Sequence, residues 1–87
     1  MKCKVITGVT GDQAFSFVYL RRVRIGGTAN LVGAVQVKAG SNVLETIPAA
    51  ATPGTDRWFE DLSFDQNTGQ LNINMANAAD TVIVFYG

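Results

Sequence analysis

Apolar side chains recur at every second position through most of this 87-residue chain, and clusters of Gly, Pro, Asn and Asp interrupt them. That rhythm predicts short β-strands joined by tight turns, because successive side chains of a strand point to opposite faces while a helix repeats every 3.6 residues. Cys3 to Thr7, with β-branched Val5 and Ile6, reads as a first strand at a sheet edge, closed by Gly8, Gly11 and Asp12. Ala14 to Ile25 reads as one long strand: Phe15, Phe17, Tyr19, Val23 and Ile25 share one parity, Ser16, Val18, Leu20, Arg22 and Arg24 the other. Arg21 breaks the apolar row, which predicts a bulge or bend at Leu20 to Arg22.

Leu31 to Lys38 and Val43 to Ile47 form the arms of a hairpin around Ala39-Gly40-Ser41-Asn42, and Pro48 stops the return arm ahead of an Ala-rich loop over residues 49–55. In Arg57 to Phe64, Trp58, Leu62 and Phe64 oppose Phe59, Asp61 and Ser63, so one of Trp58 and Phe59 faces the core and the other faces away. Asp65-Gln66-Asn67-Thr68-Gly69 makes a reversal, and Leu71, Ile73 and Met75 then alternate with Asn72 and Asn74 in the most one-sided strand of the chain. Thr81 to Tyr86 is apolar on both parities, Val82, Val84 and Tyr86 against Ile83 and Phe85, the pattern of a central strand or of one whose second face is covered. The expected fold is all-β: one domain over residues 1–87, a small antiparallel β-sandwich, jelly-roll-like or Ig-like, with about six to eight short strands.

Composition narrows the function. A chain this short buries only about 60–65% of the surface it would expose unfolded, so its core is thin. Hydrophobic residues make up 47% and charged residues 16%, the balance of a folding chain and not of a disordered one. The formal net charge is zero, which argues against a nucleic-acid footprint or a membrane-surface patch. Charge is nevertheless polarised. Six cations against Asp12 precede Glu45, about +5, and from Glu45 onward six acids face Arg57 alone, about −5. Antiparallel pairing can interleave the two sets within one molecule, or the basic side of one copy can meet the acidic side of another in a closed ring.

The chain has no His and a single Cys, Cys3, so nucleophile systems built on imidazole, conventional zinc sites and internal disulfides are ruled out by composition. Paired carboxylates are poorly placed for acid/base work: Glu60 and Asp61 fall on opposite faces of a strand, and Asp56 and Asp65 at its two ends. Loop oxygens at Asp65 to Asn67 and Asn77 to Asp80 offer a possible calcium site, although Asn and Asp serve turns for purely local reasons. Gly26-Gly27 lacks the Lys-Ser/Thr pair and helix of a phosphate loop, and Arg21-Arg22-Val23-Arg24 suits pairing with neighbouring acids. No catalytic residue, cofactor or metal is therefore expected. Neither a signal peptide nor an apolar run of the ~20 residues needed to span a membrane is present, so the product is expected to act where it is made.

The two-faced terminal strand points instead to assembly, since burying roughly 800 Å² of half-apolar surface per subunit contributes on the order of 10 kcal/mol before association costs. The expected contact residues are Phe59, Val82, Val84 and Tyr86, with Arg22 and Arg24 meeting Glu60 and Asp61 of another copy.

Val18-Tyr19-Leu20, Val35-Gln36-Val37, Val43-Leu44, Thr52-Pro53-Gly54-Thr55, Gly69-Gln70-Leu71-Asn72-Ile73 and Asp80-Thr81-Val82-Ile83-Val84-Phe85-Tyr86-Gly87 follow one another in an order that resembles the small β-sandwich virion proteins of tailed bacteriophages, including head decoration (cement) proteins. The likeness is one of pattern and covers most of the chain. It implies a sandwich assembled as a homo-oligomer, a trimer above all, seated on a shell of major capsid protein in a virion put together in the host cytoplasm. The family supplies no catalytic residues, and the chain lacks the longer N-terminal docking arm of some decoration proteins. The alternative is a carbohydrate- or receptor-binding module of a virion fibre, stacking a sugar on whichever of Trp58 and Phe59 is exposed, with Asn72 or Asn74 as hydrogen-bonding partners.

Overall fold

The computed structural model describes all residues, Met1 to Gly87. Eight strands follow in order: β1 (Lys2–Thr7), β2 (Gly11–Ala14), β3 (Tyr19–Ile25), β4 (Val35–Ala39), β5 (Asn42–Ile47), β6 (Asp56–Ser63), β7 (Leu71–Met75) and β8 (Thr81–Tyr86). Sheet A has the order β1-β8-β3-β6 and sheet B the order β2-β7-β4-β5, and every pairing is antiparallel. The pairs β4/β5, β3/β6, β2/β7 and β1/β8 are nested, alternating between the sheets, as if one long hairpin had been rolled around a core. That is the strand order of a jelly roll and not of an immunoglobulin sandwich.

The roll explains the main departure from the expected strands. Ala14 to Ile25 is not one strand: β2 lies in sheet B and β3 in sheet A, and the chain crosses between the sheets over residues 15–18, with Ser16 at a φ of 64°. Backbone bonds hold the crossing, from Phe15 N–H to Leu71 C=O at 2.8 Å and from Phe64 N–H to Val18 C=O at 2.9 Å. Likewise Leu31 lies before β4, in the long β3–β4 loop, where it is buried and exchanges backbone hydrogen bonds with Ala50 and Ala51. The expected bulge does occur: the register of β3 shifts between Leu20 and Arg22 against both of its neighbours. The β4–β5 hairpin and the Asp65–Gly69 reversal also form, with Gly40 and Gly69 at positive φ.

Between the sheets, Leu20, Val23, Ile25, Val35, Val37, Ile47, Leu71, Ile73, Met75, Val82 and Val84 are almost completely sealed from water. Val82 and Val84 are 0% exposed, so they belong to the core of the subunit and are not available as contact residues. Their strand is central, lying between β1 and β3, and its inward parity is consumed by the sandwich itself. Tyr86 shares that parity and is half-buried, its ring edge-on to Phe15 with centroids 5.1 Å apart. Only 18 of 87 residues are buried, so loop anchors carry a large share of the tertiary order. Chief among them is Asp80, 4% exposed, which accepts hydrogen bonds from Val32 N–H at 2.7 Å and Gly33 N–H at 2.8 Å and pins the β3–β4 loop to the β7–β8 loop, just ahead of β8.

Candidate interaction surface

The two outer faces of the sandwich differ in chemistry. On sheet B the outward residues of β2 and β7, with Lys38 of β4, are bonded within the molecule. Asn72 Nδ2 donates to Gly40 C=O at 2.9 Å, Asn74 Nδ2 donates to Asp12 at 2.7 Å, and Lys38 Nζ donates to both Asp12 oxygens at 3.1 Å. The Asn74 hydrogen bond, followed by that from Lys38, holds the Asp12 carboxyl below its ordinary range. Asp65 is held low as well, by the backbone N–H groups of Thr68 and then Asn67. A carboxyl whose folded pKa is depressed contributes stability above its unfolded value, and that contribution is lost as pH falls through the folded value. With no His to titrate between pH 5 and 8, the thermal midpoint should stay level from about pH 8 to 5 and fall below about pH 4. Calorimetry across that range checks this, and a steep change at pH 6 would contradict it.

Sheet A presents something else. Across the register, Cys3, Phe85, Arg22 and Trp58 form one outward row, and Val5, Ile83, Arg24 and Asp56 the next. The Arg22 guanidinium lies 4.0 Å from the Phe85 ring centroid and 4.8 Å from that of Trp58, a cation on aromatic faces that leaves little of its charge bare. Arg22 and Arg24 approach one carboxylate, Asp56, at 3.7 and 3.8 Å. Trp58 remains 65% exposed and Val5 56% exposed. An apolar, aromatic face with its arginines already partnered is the composition of an interface core and not of a solvated surface.

The bulge shapes one end of this face. Arg21 is the extra residue on β3, and three residues of β6, Phe59 to Asp61, are accommodated opposite it, with Asp61 at a φ of 50°. Both side chains are thrown outward and join in a two-pronged ion pair, Nε to Oδ1 at 3.1 Å and Nη2 to Oδ2 at 3.2 Å. Three open concavities surround Arg21. One of about 490 Å³ lies between Tyr19, Asp61, Tyr86 and the chain termini, and one of about 360 Å³ is lined by Arg21, Trp58, Phe59, Glu60 and Asp61. The third, about 260 Å³, runs along Arg22, Trp58 and Phe85. Bulges commonly re-aim side chains in this way.

Of the residues expected to make contacts, Phe59 turns inward and packs against the core, while its neighbour Trp58 takes the outward position. Counting parity back from Phe64 puts Trp58 inside; the irregularity at Asp61, whose φ is 50°, reverses the alternation and turns Trp58 outward. Arg22 and Arg24 do not await another copy's Glu60 and Asp61, because they pair with Asp56 of their own chain and Asp61 pairs with Arg21. Glu60 alone of the four is exposed and without a partner. Arg57 reaches across the sandwich edge to Glu45 at 3.0 Å. The polarised halves are thus interleaved largely within one molecule, β3 cations against β6 acids.

The loop carboxylates considered for calcium have local work. Asp65 Oδ1 accepts from Asn67 N–H, Thr68 N–H and Thr68 Oγ1, and Asn77 Oδ1 accepts from Ala79 N–H. No three Cys, Asp or Glu side chains converge as metal ligands. Asn72 and Asn74 lie on sheet B, across the sandwich from Trp58, so they cannot join it in a sugar site. Comparison with protein-family models, curated proteins and solved structures finds no match to this chain.

Proposed function

We propose that this protein is a non-enzymatic structural component of a phage virion, which docks as a homo-oligomer, a trimer on the resemblance of its sequence, onto the shell of the major capsid protein and stiffens it. The observation that carries this reading is the outer surface of sheet A, where Phe85 and Trp58 flank the stacked Arg22 and Val5 and Ile83 lie in the next row. The outer face of sheet B is more polar, and its exposed apolar residues, Val43 and Leu44, are confined to the edge strand β5. A thin sandwich with a half-apolar outer face is stabilised by whatever covers that face.

Trp58→Glu tests the reading. Trp58 is exposed and its one contact of note is with Arg22, so the substitution should cost folding no more than about 1 kcal/mol, while co-sedimentation with capsids should fall at least about tenfold through loss of an exposed aromatic anchor. Undiminished sedimentation of the variant, or none of the wild type, would sink it. The concavity beside Trp58, flanked by Arg21, Glu60 and Asp61, favours a second reading, a saccharide stacked on the indole and hydrogen-bonded by those charged groups. In that case Trp58 fluorescence would shift on titration with a polysaccharide and the shift would vanish in Asp61→Ala.

A further inference from the structure

The ion pair at the bulge keeps hydrogen-bonding capacity in reserve. Asp61 accepts from Nε and Nη2 of Arg21, which leaves the remaining guanidinium N–H groups, and a second lone pair on each carboxylate oxygen, without a partner in the chain. The two side chains are 47% and 57% exposed, so they present to solvent a plate with donors at one end and acceptors at the other. Its charges cancel.

The largest concavity of the molecule lies against one side of this plate. Gly87 and Tyr19 exchange both backbone hydrogen bonds, at 2.9 and 2.8 Å, one step beyond the Leu20/Tyr86 pair. Gly87 brings no side chain to that outward position, and a hollow of about 490 Å³ opens beside Tyr19, completed by Met1, Arg21, Asp61 and Tyr86. Tyr19 is 56% exposed. The two hydrogen bonds of the ion pair are the only ones made by the side chains lining the hollow, so the Tyr19 and Tyr86 hydroxyls also have no partner in the chain.

We infer that this hollow binds a neutral sugar residue, the apolar face of the sugar ring on Tyr19 and its vicinal hydroxyls on the Arg21–Asp61 plate. An aromatic ring beside a few convergent polar groups is the make-up of a small-molecule site. Vicinal hydroxyls both donate and accept, so they can satisfy the two ends of the plate together. A phosphate or carboxylate ligand would have to take Arg21 from Asp61 and then lie beside the displaced acid. A wholly apolar ligand would cover the free donors and acceptors without replacing their water. The concavity at Trp58 suits a neutral sugar less well, because the unpaired Glu60 lines it and Arg22 already lies over the indole. The Tyr19 ring has no such cation on it.

An array of neutral and acidic oligosaccharides tests the site. The wild type should be retained on neutral members, and titration with a retained oligosaccharide should shift the backbone amide NMR signals of Tyr19, Arg21, Asp61 and Gly87. Tyr19→Ala should raise the dissociation constant at least about tenfold, while Tyr19→Phe, which keeps the ring, should hold most of the affinity. Asp61→Asn leaves Arg21 without its counter-charge and should move the preference of the array towards acidic oligosaccharides, a change that loosened packing does not produce. Thermal midpoints of the Tyr19 variants close to the wild type separate lost binding from lost folding. A wild type that retains no neutral oligosaccharide overturns the inference, as does full affinity in Tyr19→Ala. Binding that is lost in Trp58→Glu but kept in Tyr19→Ala puts the sugar on the indole instead. Shell docking is read separately by co-sedimentation: a wild type that sediments with capsids and retains no sugar defeats this inference alone, and one that retains sugar without sedimenting defeats the shell reading alone.

Discussion

Asp80→Ala should cost the domain about 3 kcal/mol of stability, because it removes two charge-assisted hydrogen bonds at once and leaves the part-buried N–H groups of Val32 and Gly33 without their acceptor. The carboxylate is 4% exposed and its oxygens divide between Val32 N–H and Gly33 N–H. Without it, the β3–β4 loop loses its tie to the loop leading into β8, and Leu31 loses the scaffold that keeps it buried. For a chain of this size the thermal midpoint should drop by more than about 10 °C. Asp80→Asn, which keeps one oxygen acceptor, should recover part of the loss. Urea denaturation of the three proteins measures this; a cost for alanine below about 1 kcal/mol would show that water or the loop itself replaces the carboxylate.

Gly69→Ala should be comparably damaging, at about 2–4 kcal/mol. Gly69 has a φ of +99°, and a Cβ there would sit 2.8 Å from Gly40 N, with Ala39 C and Gly40 Cα at 3.1 Å. These are backbone atoms, and they are not free to move. Gly40 N–H donates to Gln70 C=O at 2.8 Å, and Gly40 C=O accepts from Asn72. The β4–β5 turn and the β6–β7 turn therefore lie back to back at a distance that only a hydrogen on Gly69 permits. Gly8→Ala is the control: φ is +72° there but a Cβ would have nothing within 4 Å, so only the left-handed strain of about 1 kcal/mol applies. Equal losses at the two positions would mean that the clash at Gly69 relaxes at no cost.

Alternation was the most legible feature of the chain. Leu71, Ile73 and Met75 against Asn72 and Asn74 announced β7, Ala39 to Asn42 announced the hairpin, and the lone Arg21 announced the bulge on β3. Each of these depends on side chains a few positions apart. Two readings failed where they crossed an irregularity. Phe15 to Val18 kept the alternation of a strand while the backbone, turning at Ser16, passed from one sheet to the other. Trp58 and Phe59 exchanged faces because Asp61 adopts a φ of 50° and resets the count. Val82 and Val84 offered apolar surface in the sequence, but a central strand of a sandwich spends one whole parity on its own core.

Local chemistry by itself dictated an all-β chain of short strands, its turns, its bulge and its lack of imidazole chemistry, because turn residues and a period of two act over a few residues. The pairing of strands, the jelly-roll order and the partners of Arg21, Arg22 and Arg24 were decided only by the fold. Those properties depend on which distant segments meet. In a roll whose nested pairs join residues as far apart as Lys2 and Tyr86, no local pattern encodes that meeting.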